Sequence, residues 1–218
     1  ASDVYKRQPY DYTHKKQTGG SGQFAKVVGR MEPLPEDSVQ DFEFVSEVVG
    51  GSIPREYIPA VEKGFKEQLS KGLLIGAPVV RTRMVVSDGL HHAVDSSEMA
   101  FRLAAMAAVR EVYKKADPKI LEPIMRVEVS APEEFQGSVI GQLNQRRGVI
   151  VESSTNEGYF TALSHVPFAE MFGYSTDLRS ATQGKGEFTM EFEKYNAVPR
   201  SVQDELIKEF EKKKAEKK

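Results

Sequence analysis

The chain has 218 residues and 24.3 kDa, with 39% apolar and 28% charged side chains and a formal net charge of −2 at pH 7. That apolar content suffices for one or two packed domains, and 12 Phe with 8 Tyr argue against disorder along the whole length. No run of about 18 apolar residues offers a membrane-spanning helix, no secretory leader is expected from the opening residues, and the absence of Cys excludes disulfides, thiol chemistry and Cys-bound zinc or iron–sulfur clusters, in keeping with a reducing compartment.

A sequence pI near 6.2 gives no global basic field of the kind that marks many nucleic-acid binders. The charge is nevertheless uneven. Residues 1–30 carry six Lys or Arg against two Asp, residues 31–72 four basic against nine acidic side chains, and residues 212–218 five Lys against one Glu. Screening at physiological salt acts over about 8 Å, so a ligand responds to local patches rather than to the sum.

Taken in chain order, residues 9–17 are polar and basic, and Thr18-Gly19-Gly20-Ser21-Gly22 is a turn. Phe24 to Val28 reads as a strand ended by Glu32-Pro33, and Asp41 to Val48 as another, with Phe42 and Phe44 on one face. After the breaker Gly50-Gly51-Ser52-Ile53-Pro54, Pro59 suits a first helical turn, and Ile58, Val61, Phe65 and Leu69 recur at helical spacing. Val79 to Val86 alternates as a strand, and Ser87-Asp88-Gly89 is expected to end it. Asp95 and Glu98 have capping-box spacing, which predicts Asp95 as the cap of a helix whose marked face is Met99, Leu103, Met106 and Tyr113, with Ala100, Ala104, Ala107 and Ala108 allowing close packing. Lys114 to Pro118 makes a domain boundary.

The second half predicts a strand at Ile124 to Val129 and a helix opened by Pro132-Glu133-Glu134, with Phe135, Val139, Ile140 and Leu143 buried and Arg146-Arg147-Gly148 as its stop. Strands at Val149 to Ser153 and Tyr159 to Val166, a short helix from Pro167 and a strand at Glu187 to Glu193 complete a β-α-β-β-α-β order, the ferredoxin-like arrangement. A last helix from Ser201 buries Val202, Leu206, Ile207 and Phe210. The expected class is α+β, with domains at 1–118, 119–199 and a terminal helix at 200–218.

Chemistry motifs are mostly missing. There is no G-x-x-x-x-G-K-[ST] loop. Gly20-x-Gly22-x-x-Ala25 matches a relaxed dinucleotide fingerprint, but a basic turn precedes it and a strand follows, the reverse of what that site needs. His14, His91, His92 and His165 form no H-x-x-x-H pair for a metal. Ser96, Ser97 and His92 read as caps and turn formers rather than a nucleophile and base, as do Asp88, Asp95 and Glu98 rather than paired catalytic acids. Two loops remain. Lys15-Lys16-Gln17-Thr18-Gly19-Gly20-Ser21-Gly22-Gln23 joins cations and amides to a glycine turn whose bare N–H groups can approach a phosphate backbone. Ser87 to Asp95 joins a strand to a helix, and at the same end of a domain the two would form a polar tip rich in donors.

The same residues carry a family resemblance. Thr13-His14-Lys15-Lys16-Gln17-Thr18-Gly19-Gly20-Ser21-Gly22-Gln23, Ile53-Pro54 to Gly64, Asp88-Gly89-x-x-His92 to Glu98, Leu121-Glu122-Pro123-Ile124-Met125, Met171-Phe172-Gly173-Tyr174, Leu178-Arg179-Ser180 and Phe188-Thr189-Met190-Glu191-Phe192 closely resemble the C-terminal part of translation elongation factor G. The match runs from about residue 9, and the paired His91-His92 is similar to a mitochondrial-type branch that also has bacterial relatives.

The resemblance implies a domain IV related to the second domain of a small-subunit ribosomal protein, then a ferredoxin-like domain V, with the terminal helix packed back on domain IV. It implies a monomeric, membrane-independent factor in the bacterial cytoplasm or the mitochondrial matrix, partnered with the ribosome and the tRNA–mRNA duplex. Its RNA contacts would be Lys15, Lys16, Gly19, Gly20, Ser21, Gly22, Gln23, Asp88, Gly89, His91 and His92 at the tip, with Arg179 and Lys185 in domain V toward large-subunit rRNA. No catalytic, cofactor or metal site is expected in this chain. GTP and Mg belong to preceding domains of the family, so the chain reads as a fragment, with residues 1–8 as a foreign junction. A ribosome-recycling variant, a small-molecule kinase of related fold and a structural interaction module are the competing readings.

Overall fold

The computed structural model describes residues 1–17, 20 and 22–217. The chain divides into two compact units, residues 1–120 with 198–218, and residues 121–197. Both mix sheet and helix in the α+β manner. Among the described residues no helix is long and apolar enough to cross a membrane.

The first unit opens with β1 (Ser2–Asp3). The opening residues pack into this unit. Ser2, Asp3 and Val4 are buried, Ser2 Oγ lies 2.8 Å from the Tyr113 hydroxyl, and the Tyr5 N–H donates to the Ala116 carbonyl at 3.0 Å. Asp3 is paired with Arg81, whose backbone is left-handed at φ 53°.

β2 (Gln8–Lys16) and β3 (Gln23–Pro33) form an antiparallel hairpin in unbroken register from Gln8↔Met31 to Lys16↔Gln23. β2 is hidden in the sequence because it is an edge strand: Tyr10 is buried and Tyr12 and His14 are half-buried, while Asp11, Thr13 and Lys15 between them are exposed. β4 (Phe42–Ser46) packs Phe42 and Phe44 against the core, and α1 (Ile58–Lys71), with Pro59 in its first turn, buries Val61, Phe65 and Leu69. β5 (Thr82–Leu90) completes the sheet in the order β2-β3-β5-β4, antiparallel to β3 and parallel to β4. It does not stop at Ser87-Asp88-Gly89 as expected. β3 is long enough to keep pairing it, through Val28↔Asp88, Val27↔Gly89 and Lys26↔Leu90.

The β3–β5 register slips between Val28 and Gly29. A Cβ at Gly29 would lie 1.9 Å from the Val85 carbonyl oxygen and 2.6 Å from the Tyr10 hydroxyl, which donates to that same carbonyl at 2.5 Å. Only glycine fits.

α2 (Glu98–Lys115) is capped by Ser97, whose Oγ accepts from the Ala100 N–H at 3.1 Å, not by Asp95 as its spacing to Glu98 predicts. Its buried face is Phe101, Ala104, Ala105, Ala108, Val109 and Val112, with Tyr113 at the end; Met99 is 53% exposed, and Leu103 and Met106 lie at the margin. The alanines let α1 approach, and a Cβ at Gly64 would sit 2.5 Å from the Arg102 carbonyl. On the sheet's other face, Arg30 bonds Glu47 at 2.8 and 2.9 Å and Arg83 bonds Glu43 at 2.6 Å and Glu32 at 3.0 Å.

β6 (Lys119–Pro132) pairs Lys119 and Ile120 with β1, and its remainder starts the second unit. There α3 (Gln136–Gln145), β7 (Val149–Asn156), β8 (Tyr159–Pro167), α4 (Tyr174–Ala181) and β9 (Glu187–Ala197) follow. The sheet is antiparallel with order β7-β8-β6-β9, which is the ferredoxin-like βαββαβ fold. Val127, Val129, Val139, Leu143, Phe160 and Leu178 are central to its core. Of the alternating β9 residues, Phe188 packs on that core, whereas Met190 and Phe192 are largely exposed, Phe192 lying against Tyr195 at 5.1 Å. After α3 the left-handed residue is Arg147 (φ 57°) rather than Gly148, which is needed for space: its Cβ would meet the Leu143 carbonyl at 2.6 Å.

α5 (Arg200–Glu216) belongs again to the first unit. Gln203 accepts the Ile120 N–H at 2.9 Å and donates to the Pro118 carbonyl at 3.2 Å, and the Phe210 ring lies beside Gly76.

Gly29→Ala is expected to destabilise the first unit by roughly 1–3 kcal/mol, the usual cost of overpacking, read as a lowered denaturant midpoint. The β7–β8 turn gives an opposite test. Asn156 pairs with Tyr159 across a two-residue loop with positive φ at Glu157 (51°) and Gly158 (81°), the type I′ signature. Asn tolerates the left-handed region better than Glu, so Glu157→Asn should raise stability by about 0.5–1 kcal/mol; an unchanged or lowered melting temperature would contradict this.

Candidate nucleic-acid interface

Both loops singled out in the sequence lie at one end of the β2–β3–β5 sheet. Lys15 and Lys16 close β2 and are exposed; Gln23 opens β3; Gly20 and Gly22 lie in the connection. Gly19 and Ser21, also expected to contact RNA, lie outside the described residues. Lower on the hairpin Lys26 is bound to Asp11 at 3.2 Å. His14, not singled out as a contact, has Nε2 2.8 Å from Gln23 Oε1 and steadies the start of β3.

Asp88 and Gly89 are not in a loop but in β5, opposite Val28 and Val27. A Cβ at Gly89 would sit 2.3 Å from the Lys26 carbonyl and 2.6 Å from Ile53, so glycine is required for the strand to lie this close. The Ser52 hydroxyl beside it and the Gly89 N–H, which donates to Asp88 Oδ1 at 2.8 Å, hold the Asp88 carboxyl below its ordinary range. His91 leaves the sheet exposed, its Nδ1 3.3 Å from the Ser52 carbonyl.

His92 is the most constrained of the tip side chains. Its Nδ1 accepts the N–H groups of Val94 at 3.3 Å and Asp95 at 3.2 Å. With Nδ1 used as an acceptor, the neutral ring carries its proton on Nε2. The side chain is 56% exposed and packs edge-on to Phe24 at 6.5 Å. The tip thus presents an oriented imidazole N–H donor on a loop that lies against Phe24, the β3 residue paired with Lys15.

Asp95 and Ser96 hold this arrangement together and were missed as site residues because acids and serines before a helix read as caps. The Phe24 N–H donates to the Asp95 carbonyl at 2.8 Å, and Ser96 Oγ donates to the Phe24 carbonyl at 2.7 Å while accepting the His92 N–H at 2.8 Å. The Asp95 carboxylate would be 2.9 Å from a Cβ at Gly22. Donor-rich and glycine-backed, such a tip suits a polyanion's backbone. Among the described residues no three His, Asp or Glu side chains gather as metal ligands.

Arg179 and Lys185 are in the second unit. Arg179 lines a cavity of about 420 Å³ with Ser175, Gly184, Gly186 and Glu187, and Lys185 is 3.8 Å from Glu134.

Comparison with known proteins agrees with the fold. The family model for elongation factor G, domain IV, matches residues 3–117, and that for the elongation factor G C-terminus matches residues 119–206. The chain is 60% identical over 208 residues to elongation factor G 2 of Bdellovibrio bacteriovorus, covering 95% of this chain and 30% of that protein. It is 50% identical over 202 residues to the mitochondrial elongation factor G of Drosophila ananassae, covering 93% and 27%. A crystal structure from Thermus thermophilus superposes with a TM-score of 0.87 at 36% identity, over 97% of this chain and 31% of that one. The chain spans about 30% of the length of the curated relatives it matches. Two family models in tandem and a shared fold make this chain a member of the elongation factor G family, corresponding to its domain IV and C-terminal region.

Proposed function

We propose that this chain is the RNA-contacting end of a ribosomal translocase, acting in the movement of tRNA and mRNA during elongation. The observation that carries the reading is the joined tip. Lys15, Lys16 and Gln23 stand at the end of the β2–β3 hairpin, which is bonded through Phe24 to the loop that carries His92. Cations, amides and an imidazole donor recognise phosphate, ribose and duplex shape without reading base identity. A translocase meets every codon, and a sequence-tolerant contact is what that task requires.

In this reading the tip meets the tRNA backbone and the codon–anticodon duplex at the small-subunit decoding centre. Arg179 and Lys185 of the second unit meet large-subunit rRNA. The chain acts as a monomer and supplies no cofactor site; GTP, Mg and the hydrolytic step belong to other domains of the family's full-length members. Higher identity to the Bdellovibrio factor than to the Drosophila mitochondrial one favours the bacterial cytoplasm over the mitochondrial matrix.

The test uses a full-length family member carrying this chain as its C-terminal portion. His92→Ala should slow single-round translocation roughly tenfold, equivalent to about 1.4 kcal/mol of barrier, with ribosome-stimulated GTP hydrolysis changed less than about twofold. Loss of hydrolysis with translocation intact would overturn the reading, and a selective defect in splitting spent ribosomes would point to recycling instead. Replacing Lys15 and Lys16 together by Ala should weaken ribosome binding and reduce the slope of log affinity against log salt by about one to two units.

A further inference from the structure

We infer that Ser96 is the positioning residue of the tip, the group that sets where His92 points; the inference rests on the RNA-contact reading above and deepens it. Two hydrogen bonds meet at the Ser96 hydroxyl and a third at its backbone N–H. Ser96 Oγ donates its single proton to the Phe24 carbonyl at 2.7 Å and accepts the His92 N–H at 2.8 Å. The Ser96 N–H donates to the His92 carbonyl at 3.1 Å, so His92 and Ser96 close a reciprocal loop of two hydrogen bonds. Inside that loop lie the Val94 and Asp95 N–H groups that donate to His92 Nδ1.

The consequence is a chain of constraint from strand to imidazole. Phe24 belongs to a strand held on its other side by Lys15 of the hairpin. Ser96 carries that fixed position to the His92 backbone, and the turn so formed aims two amides at Nδ1. The amides select the tautomer with the proton on Nε2, and the exposed face of the ring then offers a donor. Asp95 alone cannot substitute. Its carbonyl holds Phe24, but its carboxylate is 3.6 Å from His92 Nδ1 and rests against Gly22. Tyr57, whose hydroxyl is 3.4 Å from the Ser96 carbonyl, is the neighbouring support from the segment before α1. Ser97, the adjacent residue, has a separate task as the cap of α2. Removing the Ser96 hydroxyl should therefore disturb the tip without unwinding the helix behind it.

Two measurements test this. In the 218-residue chain labelled with 15N-histidine, the His92 resonances should report the Nε2–H tautomer, and Ser96→Ala should shift them toward a mixture of tautomers, whereas Ser96→Thr, which keeps the hydroxyl, should not. In the full-length context, Ser96→Ala should slow translocation about five- to tenfold, as expected for loss of a hydrogen bond or two, with GTP hydrolysis near the parent value, a melting temperature lowered by only a few degrees, and Ser96→Thr restoring most of the rate and the stability. A parental rate or an unchanged His92 spectrum in Ser96→Ala would overturn the positioning role. So would equal impairment by Ala and Thr, because packing would then be the cause. His92→Ala measured alongside separates the two ideas: if it too leaves translocation unchanged, the RNA-contact reading itself has failed.

Discussion

Phe24 has a backbone N–H and a backbone carbonyl that face away from its hairpin partner, and both must be bonded. β5 leaves the sheet at Leu90, opposite Lys26, so the first stretch of β3 runs past its neighbour. An unpaired strand edge costs free energy when shielded from water and invites pairing when it is not. Here the Asp95 carbonyl and the Ser96 hydroxyl take the place of the missing strand. From that substitution come the closure of the His92 turn, the seat of the Asp95 carboxylate against Gly22, and the start of α2 at Ser97 one residue later. The interface is a solution to a β-sheet hydrogen-bonding problem before it is a ligand site.

This origin explains why so short a stretch does so much. Between His92 and Ser97 each of three polar side chains has a separate partner: the His92 ring accepts backbone amides, the Ser96 hydroxyl bonds Phe24 and His92, and the Ser97 hydroxyl caps the helix. Because this loop is bonded to β3 at Phe24 and to the first turn of α2 at Ala100, its donors are tied to rigid elements. Preorganised donors lose less entropy when they meet a ligand, which suits a contact made by few residues.

Much of the fold was legible in the sequence, and the misses share a cause. The second unit's order of elements follows from alternation in β6, β8 and β9 and from helical spacing in α3. α1 follows from Val61, Phe65 and Leu69. What local patterns could not reveal is what a neighbouring strand supplies. β2 is polar because it is an edge with one face in water. β5 outlasts Ser87-Asp88-Gly89, an evident turn signal, because β3 is present to pair it. Asp95 looks like a cap by its spacing to Glu98, yet its carboxylate rests against Gly22 and the cap falls to Ser97. The same limit hid Asp95 and Ser96 as site residues, since their partner lies 71 and 72 positions earlier in the chain. His92, the lysines and the glycines were visible because their chemistry is local.

For the RNA contact proposed above, net charge is a weak guide, and the reason is distance. Five of the nine acidic side chains of residues 31–72 are held in ion pairs. Glu32, Glu43 and Glu47 are bonded to Arg30 and Arg83 on the outer face of the sheet, Glu62 to Lys66, and Glu67 to Arg102. Glu32 lies nine residues along β3 from Gln23, which at about 3.4 Å per residue is roughly 30 Å. That separation is more than three screening lengths at about 8 Å each under physiological salt. An anion arriving at the tip meets Lys15, Lys16 and the His92 donor, with Glu32 too distant and too well compensated to repel it. A total of −2 and a cationic contact point coexist because the sheet is longer than the reach of its own charges.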